Sequence, residues 1–187
     1  MTIQHEAETN RFTTNVWELS VGSDICRNAQ AGLDHEWFVT NGLGGYAAGS
    51  VVGATTRSYH GLLVAALRPP VERDVLITKI DETVERAGGN VLKLGVNEYR
   101  DGTIDPQGYT HLETLSLEAD VPCFRYRLNE NSILEKRVWM EYGQNTTYVQ
   151  YTLSTAPADS VNNAPLTLTF SPYTILFEMR PGHACRG

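Results

Sequence analysis

The sequence predicts an all-β protein: a large, antiparallel, two-layer β-sandwich with little helix. Three features indicate this fold. Apolar and polar residues alternate with a period of two, short turn sequences separate the alternating runs, and long amphipathic helices are absent. A period of two places one set of side chains on a core face and the other set toward solvent.

The alternation is clearest near the end of the chain. Leu166, Leu168 and Phe170 alternate with threonine and serine, and residues 149–154 and 124–129 repeat the pattern. About ten such runs occur at the spacing expected of sandwiches and barrels. Strands joined by short turns need two packed layers to bury their apolar faces.

Turn residues mark where these strands end. A Gly-Gly pair at 88–89 stands between runs 74–86 and 91–99, as in a two-residue hairpin loop. The longest turn-rich stretch is 156–165, and only 23–33 has the character of a short helical turn. Alternating strand positions predict that Trp37 and Trp139 lie in the core.

Composition narrows the class of protein. A chain of 187 residues with 41% hydrophobic content is enough for one domain with a core. A net charge of -7 without a Lys/Arg cluster argues against nucleic-acid binding. Three widely spaced cysteines favour neither a zinc ribbon nor a disulfide framework, and so favour a reducing, cytoplasmic location. No signal peptide or membrane span is predicted.

A glycine-dense turn is the most informative local feature. The string EWFVTNGLGGYAAGS occupies 36–50, and TRSYHGLLVA follows at 56–65. Residues 42–47 formally match the G-x-G-x-x-A dinucleotide fingerprint, which requires a helix directly after the turn. Residues 48–56 are rich in glycine and β-branched side chains and indicate a strand instead. We therefore predict no dinucleotide and no other cofactor.

The same strings carry a family resemblance. They resemble the opening signature of bacterial and archaeal glycogen debranching enzymes (amylo-α-1,6-glucosidases). Similar blocks follow in family order at 75–83, 97–102, 105–109, 136–140 and 145–151. The resemblance covers about residues 30–172. It implies an N-terminal β-sandwich domain that, in this family, precedes a helical catalytic barrel.

The resemblance also implies a division of the chain. We expect an N-terminal segment with a possible edge strand at 1–22 and the β-sandwich domain at 23–172. Residues 173–187 diverge from the family pattern, and the helical barrel is not expected within this sequence.

The implied function belongs to glycogen catabolism. The domain is expected to position an α-glucan, such as glycogen or limit dextrin, and to brace the helical barrel, supplied in cis or in trans. A free-standing carbohydrate-binding module and an inactive remnant of a truncated gene are the alternatives. The family is a glycoside hydrolase, but this chain is not expected to be active alone.

No catalytic residue is predicted in this chain. Glycosidic bond hydrolysis usually takes two carboxylates. Asp81 and Glu82 are adjacent on a strand and point to opposite faces. Asp101 and Asp105 occupy turn sequence, where aspartate is favoured for local hydrogen bonding.

Four residues are candidates for substrate binding or interdomain contact: Asn41, Arg57, Tyr59 and His60. Their side chains can hydrogen-bond sugar hydroxyls or reach a neighbouring domain. Each also has a local alternative, because Arg57 could pair with a carboxylate, His60 could be a buried hydrogen-bonded residue, and Asn41 could cap the glycine turn. The rings of Trp37, Trp139 and Tyr46 could stack on a pyranose face, as the alternative to a core position.

The glycines of the turn have a structural interpretation. Gly42, Gly44 and Gly45 are expected to form a tight turn, because glycine adopts positive φ without strain. The five histidines lack metal-ligand spacing, so no metal site is predicted.

Overall fold

The computed structural model describes residues 19–69, 72–86, 89–156, 166–174 and 177–179. The strands in these ranges are β1 (Leu19–Val21), β2 (Glu36–Thr40), β3 (Tyr46–Ser50), β4 (Gly61–Arg68), β5 (Glu72–Ile77), β6 (Lys79–Arg86), β7 (Val91–Lys93), β8 (Val96–Glu98), β9 (Ile104–Gln107), β10 (Leu112–Glu118), β11 (Val121–Arg127), β12 (Ser132–Met140), β13 (Thr147–Thr155), β14 (Leu166–Tyr173) and β15 (Phe177–Met179). The helices are α1 (Ser23–Cys26), α2 (Ala29–Asp34) and a 3-10 helix at Gly108–His111.

The strands form four antiparallel sheets, which confirms the predicted all-β fold. Sheet A has the order β1-β10-β11-β12-β13, and sheet B the order β15-β5-β4-β3-β2. Sheet C has the order β14-β6-β7, and β8 and β9 form a small separate pair. Core residues from sheet A pack against core residues from sheets B and C. The sandwich therefore has sheet A as one layer and sheets B and C as the other.

The core lies between these layers. Phe124 and Val138 of sheet A cluster with Leu62 of sheet B and Val84 of sheet C. Trp37 packs against the same cluster, with its ring edge-on to Phe124 at 5.7 Å between centroids. The side chain of Trp37 is partly buried in this contact. The core position predicted for Trp37 is confirmed.

The prediction for Trp139 is wrong. Its neighbours Val138 and Met140 are the buried residues of β12, so the strand's pleat turns Trp139 to the outer face of sheet A. There its ring stacks on Tyr148 of β13 at 5.4 Å and an interplanar angle of 14°.

The run 74–86 is divided between two sheets at Thr78. Its backbone remains bonded, because the Thr78 N–H donates to Tyr173 and its carbonyl accepts from Leu62, both at 2.9 Å. Strands β14 and β15 run beside β6 and β5 in one continuous register, with Tyr173 opposite Lys79 and Phe177 opposite Val75. The run 91–99 is likewise divided, into β7 and β8.

The local predictions have mixed outcomes. Strands β6 and β7 pair as a hairpin, but the prediction of a two-residue loop is wrong: the Arg86 N–H donates to the Asn90 carbonyl at 3.0 Å, so the loop lies between Arg86 and Asn90 and is longer than Gly-Gly alone. The helical character of 23–33 is confirmed by α1 and α2, and the Asn28 side chain caps α2 through the Ala31 N–H at 3.1 Å. Most of the predicted turn-rich stretch, 157–165, lies outside the described residues.

Strand β1 pairs with β10 at the edge of sheet A. None of the helices in the described ranges has the length and apolar character needed to span a lipid bilayer.

Candidate functional site

Three of the four candidate residues meet at one end of sheet B. Strand β2 begins at Glu36, which lies opposite Ser50, the last residue of β3. The chain then loops over residues 51–60, and the Ser50 hydroxyl fixes this loop by donating to the Ala54 carbonyl at 2.7 Å. The loop returns Arg57, Tyr59 and His60 to Glu36. We call these four residues the Glu36 cluster.

The carboxylate of Glu36 is the centre of this cluster. The Tyr59 hydroxyl lies 3.0 Å from both Glu36 oxygens. Arg57 Nε lies 3.5 Å from Glu36 Oε1, and His60 Nε2 lies 3.2 Å from the same oxygen. Of the four side chains, Glu36, Arg57 and Tyr59 reach solvent, whereas the His60 side chain is fully buried.

The hydrogen bonding of His60 defines its tautomer. The backbone N–H of Thr56 donates to Nδ1 at 3.2 Å, so Nδ1 carries a lone pair and Nε2 carries the proton of the neutral ring. Nε2 faces Glu36, although it is not aligned for a full hydrogen bond. Burial lowers the pKa of His60 despite the neighbouring carboxylate, so the ring is neutral near pH 7.

Glu36 is held in its ionised form. Partial burial opposes ionisation, but the Tyr59 hydrogen bond, with His60 and Arg57 beside it, outweighs burial and lowers the pKa of Glu36. A general acid in glycoside hydrolysis needs a raised pKa. The Glu36 cluster therefore offers a fixed anionic acceptor and a guanidinium donor for binding, rather than a proton for catalysis.

An exposed aromatic surface continues from the cluster along β2 and β3. Phe38, two residues after Glu36, lies on the same face of β2 and is 59% exposed. Its ring stacks on Tyr46 at 5.2 Å and 26°. The Tyr46 hydroxyl donates to the Tyr59 carbonyl at 3.0 Å, and Tyr59 is 41% exposed. We call Phe38, Tyr46 and Tyr59 the aromatic platform.

Sequence reasoning missed two members of this site, Glu36 and Phe38. The signal was present, because both alternate with Trp37, which packs inward. An inward Trp37 requires its two neighbours to share the outward face of β2.

Asn41 does not join the other three candidates. It lies at the opposite end of β2, about 16 Å along the strand from Glu36. Its side chain is fully buried, and Oδ1 accepts from the backbone N–H groups of Leu43 and Gly45, both at 2.9 Å. Nδ2 donates to the backbone carbonyl of Gln144 at 2.9 Å. The amide is occupied in joining two turns, so it is not presented to a ligand.

Glycine is required at the positions of this turn for two different reasons. Gly42 and Gly44 adopt φ values of +76° and +97°, which favour glycine. A Cβ at Gly45 would lie 2.5 Å from Asn41 Nδ2, so this position requires close approach rather than positive φ.

The two turns expose apolar side chains at this end of the sandwich. The Tyr142 ring covers Gly42 and is 83% exposed, and Leu43 is 39% exposed. The Asn145 side chain accepts from the Ala66 N–H at 2.9 Å and donates to the Ala66 carbonyl at 2.8 Å. This contact places the half-exposed Leu67 beside the two turns. We call Leu43, Leu67 and Tyr142 the turn tip.

The carboxylates Asp81 and Glu82 are engaged in ion pairs. Asp81 Oδ1 lies 2.7 Å from Lys79 Nζ. Glu82 Oε1 lies 2.7 Å from Lys136 Nζ and also accepts from the Tyr151 hydroxyl. Each buried carboxylate thus has its own lysine, as structural ion pairs do.

Of the two aspartates predicted to lie in turns, Asp101 does so, whereas Asp105 lies in β9, and both are exposed. Asp101 Oδ1 accepts from the Thr103 backbone N–H at 3.0 Å, and this bond lowers the pKa of Asp101. Asp105 is exposed in β9. Neither has the buried, proton-retaining environment of a general acid.

A small cavity lies between the layers beside the Lys79 and Lys136 ion pairs. Its volume is ≈ 50 Å³, and Trp37, Tyr126 and Thr78 are among its lining residues. A cavity that binds benzene has a volume of about 150 Å³, so this one, at a third of that volume, has room for water and not for a sugar ring. Within the described ranges, no group of three or more His, Cys, Asp or Glu residues is arranged to hold a metal ion.

The comparisons with known proteins agree with the resemblance of the two opening strings. A family model described as "Glycogen debranching enzyme N terminal" matches residues 35–187. The match includes the Glu36 cluster and both turns, and it extends over residues 173–187, for which we expected divergence from the family pattern. Comparison with curated proteins and with solved structures gave no match. Because the family model covers more than half of its length, the chain belongs to the glycogen debranching enzyme N-terminal family.

Proposed function

We propose that this domain positions an α-glucan for a glycogen debranching enzyme and that the glucan lies across the aromatic platform. The observation that supports this proposal is the exposed Phe38 ring, stacked on the half-buried Tyr46 beside the ionised Glu36. The ligand is glycogen or limit dextrin, and the pathway is glycogen catabolism.

The chemistry of the platform suits a sugar polymer. The C–H face of a pyranose packs on exposed aromatic rings, which supply apolar area together with a polar handle in tyrosine. Its hydroxyls can bond the Glu36 carboxylate and the Arg57 guanidinium, and hydrogen bonds to charged groups are the stronger ones. An open surface also lets a polymer continue in both directions, whereas the ≈ 50 Å³ interior cavity admits no sugar ring.

Hydrolysis is assigned to a helical barrel, present in cis or in trans. Glu36 is an ionised acceptor, and Asp81 and Glu82 are paired with lysine, so we expect no glucose release by these residues alone. The buried, unpaired thiols of Cys26 and Cys123 fit a reducing compartment such as the cytoplasm.

Titration calorimetry with maltoheptaose and with a branched limit dextrin tests the glucan site. Phe38→Ala should weaken binding by about tenfold, the change that corresponds to ~1.4 kcal/mol. Tyr59→Phe removes the hydroxyl that bridges both Glu36 oxygens and should also weaken binding. The matched control is Tyr148→Ala, because Tyr148 is 43% exposed and stacked on Trp139 but lies on the outer face of sheet A.

The outcomes separate the proposal from its alternatives. Binding by the wild type that is lost in Phe38→Ala and kept in Tyr148→Ala supports the aromatic platform. Binding without any stimulation of an added helical barrel would favour a free-standing carbohydrate-binding module. Failure to bind either glucan at millimolar concentration would rule out the glucan role and leave the inactive remnant or the bracing role. Glucose release by the purified chain would contradict the non-catalytic assignment.

The bracing role has its own surface, the turn tip. Its three apolar side chains are exposed, yet the backbone beneath them is fixed by Asn41 and Asn145. A rigid apolar tip is suited to docking on another domain, since little conformational entropy is lost on binding. We propose that the helical barrel of the enzyme packs here.

A separately expressed helical barrel of a glycogen debranching enzyme tests this docking. Tyr142→Ser should weaken its binding to the chain in a sedimentation titration, whereas Tyr99→Ser, at an exposed tyrosine directly after β8, should not. Equal binding by the wild type and by Tyr142→Ser would remove the turn tip as the docking surface.

A further inference from the structure

Among the described strands that lie at a sheet edge, β13 is the longest. In the part of the chain that the structure describes, β13 is the last strand of sheet A and pairs with β12 alone. It has nine residues, Thr147–Thr155, with the sequence TYVQYTLST. One side of this strand therefore presents backbone N–H and C=O groups that no described strand uses.

This edge lacks the usual features that prevent pairing with another chain. Proteins protect open edges with charged residues, proline, bulges or short strands. Strand β13 contains no charged residue and no proline. The neighbouring edges differ, because β14 contains Pro172, β2 begins at the charged Glu36 and β1 has only three residues. Strand β13 alone among these four is long, neutral and free of proline.

Apolar side chains are exposed beside the same edge. Leu153 of β13 and Phe170 of β14 are each 46% exposed. The Phe170 ring lies 4.8 Å from the ring of Tyr151, so both layers of the sandwich contribute apolar surface on this side. An added strand would pair with such a backbone edge and bury the exposed apolar groups beside it.

We propose that β13 is a dimer interface, in which β13 of a second copy of this chain pairs with it in antiparallel orientation. Residues opposite each other in a sheet must share a face, so the sum of their numbers must be even. Full overlap of the nine residues then places the two-fold axis at Tyr151, with Gln150 opposite Thr152 of the second copy. Such an isologous contact closes as a dimer.

This register suits a second copy on both faces. On the inner face, Val149 lies opposite Leu153 of the second copy, which covers an exposed apolar side chain. On the outer face, an amide lies opposite a hydroxyl, and no like charges meet, because the strand carries none. The interface joins two five-stranded sheets and leaves the aromatic platform on β2 and β3 free.

Two double variants that differ only in charge at position 152 test the register. Gln150→Glu with Thr152→Glu places like charges opposite each other twice across the axis. Gln150→Glu with Thr152→Lys places opposite charges there instead. Within one copy, Gln150 and Thr152 lie opposite Arg137 and Glu135, on the outer face rather than in the core. A cooperative thermal transition in each variant shows that both fold.

Sedimentation equilibrium of the whole chain is the measurement. We expect the wild type and the Glu/Lys variant to have twice the 20.8 kDa mass of one chain. The Glu/Glu variant should dissociate at least about tenfold more readily. A wild type that stays monomeric at ~100 μM overturns the proposal, because its self-association would then be weaker than that of specific dimers with an interface of typical size. Equal dissociation of the two double variants also overturns the proposal, because the proposed register predicts that the charge at position 152 changes the stability of the dimer.

Discussion

Replacing Asn41 by alanine tests whether this buried side chain holds the glycine turn in place. The substitution leaves the backbone N–H groups of Leu43 and Gly45 without their acceptor. It also removes the donor to the carbonyl of Gln144 and to Oδ1 of Asn145. All four bonds are therefore lost with one side chain, and two of them join segments more than a hundred positions apart in the sequence.

The magnitude follows from the burial of these groups. A buried donor left unsatisfied costs about 1–3 kcal/mol, and a bond lost where water can enter costs about 0.5–1.5 kcal/mol. The Gly45 N–H is buried and would be left unsatisfied. The bonds to Leu43, Gln144 and Asn145 are partly buried, so water can enter when they are lost. We expect a loss of about 4 kcal/mol in the free energy of unfolding, or a melting midpoint lower by roughly 12 °C.

Urea denaturation and thermal melting of wild type, Asn41→Ala and Asn41→Asp measure this effect. The aspartate keeps the acceptor for Leu43 and Gly45 but places a carboxylate against the two oxygens of Gln144 and Asn145, so it should also be destabilised. A loss below about 1 kcal/mol in Asn41→Ala would refute the reasoning, since it would mean that the four bonds contribute no more than one ordinary hydrogen bond.

Three further predictions concern other parts of the sandwich. Lys136→Met should lower the free energy of unfolding by about 3–5 kcal/mol, because it leaves the buried Glu82 carboxylate without its cation; a loss below ~1 kcal/mol in urea denaturation would contradict this. Gly108→Ala should destabilise by about 1–3 kcal/mol or more, because its Cβ would lie 2.0 Å from the Leu94 carbonyl oxygen; an unchanged melting midpoint would oppose it. The pKa of His60 is lowered by folding, so its contribution to stability is complete above about pH 6.5 and is lost as pH falls toward the folded value. His60→Gln should flatten this part of the stability profile, and an identical slope in both proteins would count against it.

The division of residues 74–86 between two sheets shows what an alternating sequence pattern does not predict. Alternation identified one long strand, and its residues are indeed extended on both sides of Thr78. The break at Thr78 came from pairing, because Tyr173 and Leu62 bond its backbone groups from two different strands. A pattern of period two reports which face a residue occupies, and it does not report which partner strand lies beside it.

The same distinction applies to Trp37 and Trp139. Both occupy alternating positions in apolar strands, and the sequence predicts the core for both. In the structure Trp37 packs on Phe124, whereas Trp139 stacks on Tyr148 at the surface. Local alternation around Trp139 is ambiguous because Val138 and Met140 are also apolar, so only the contact with the opposite layer decides which set is buried.

The sequence by itself determined the fold class, the strands with clear alternation, the glycine turn and, by resemblance, the family. These are properties of local chain geometry or of strings read in order. Only the tertiary structure decided that Arg57, Tyr59 and His60 converge on Glu36 while Asn41 is buried in a turn. That outcome depends on strand pairing and on a loop contact between distant segments, and the free energy of such contacts is set by which groups are desolvated together, which no local pattern encodes.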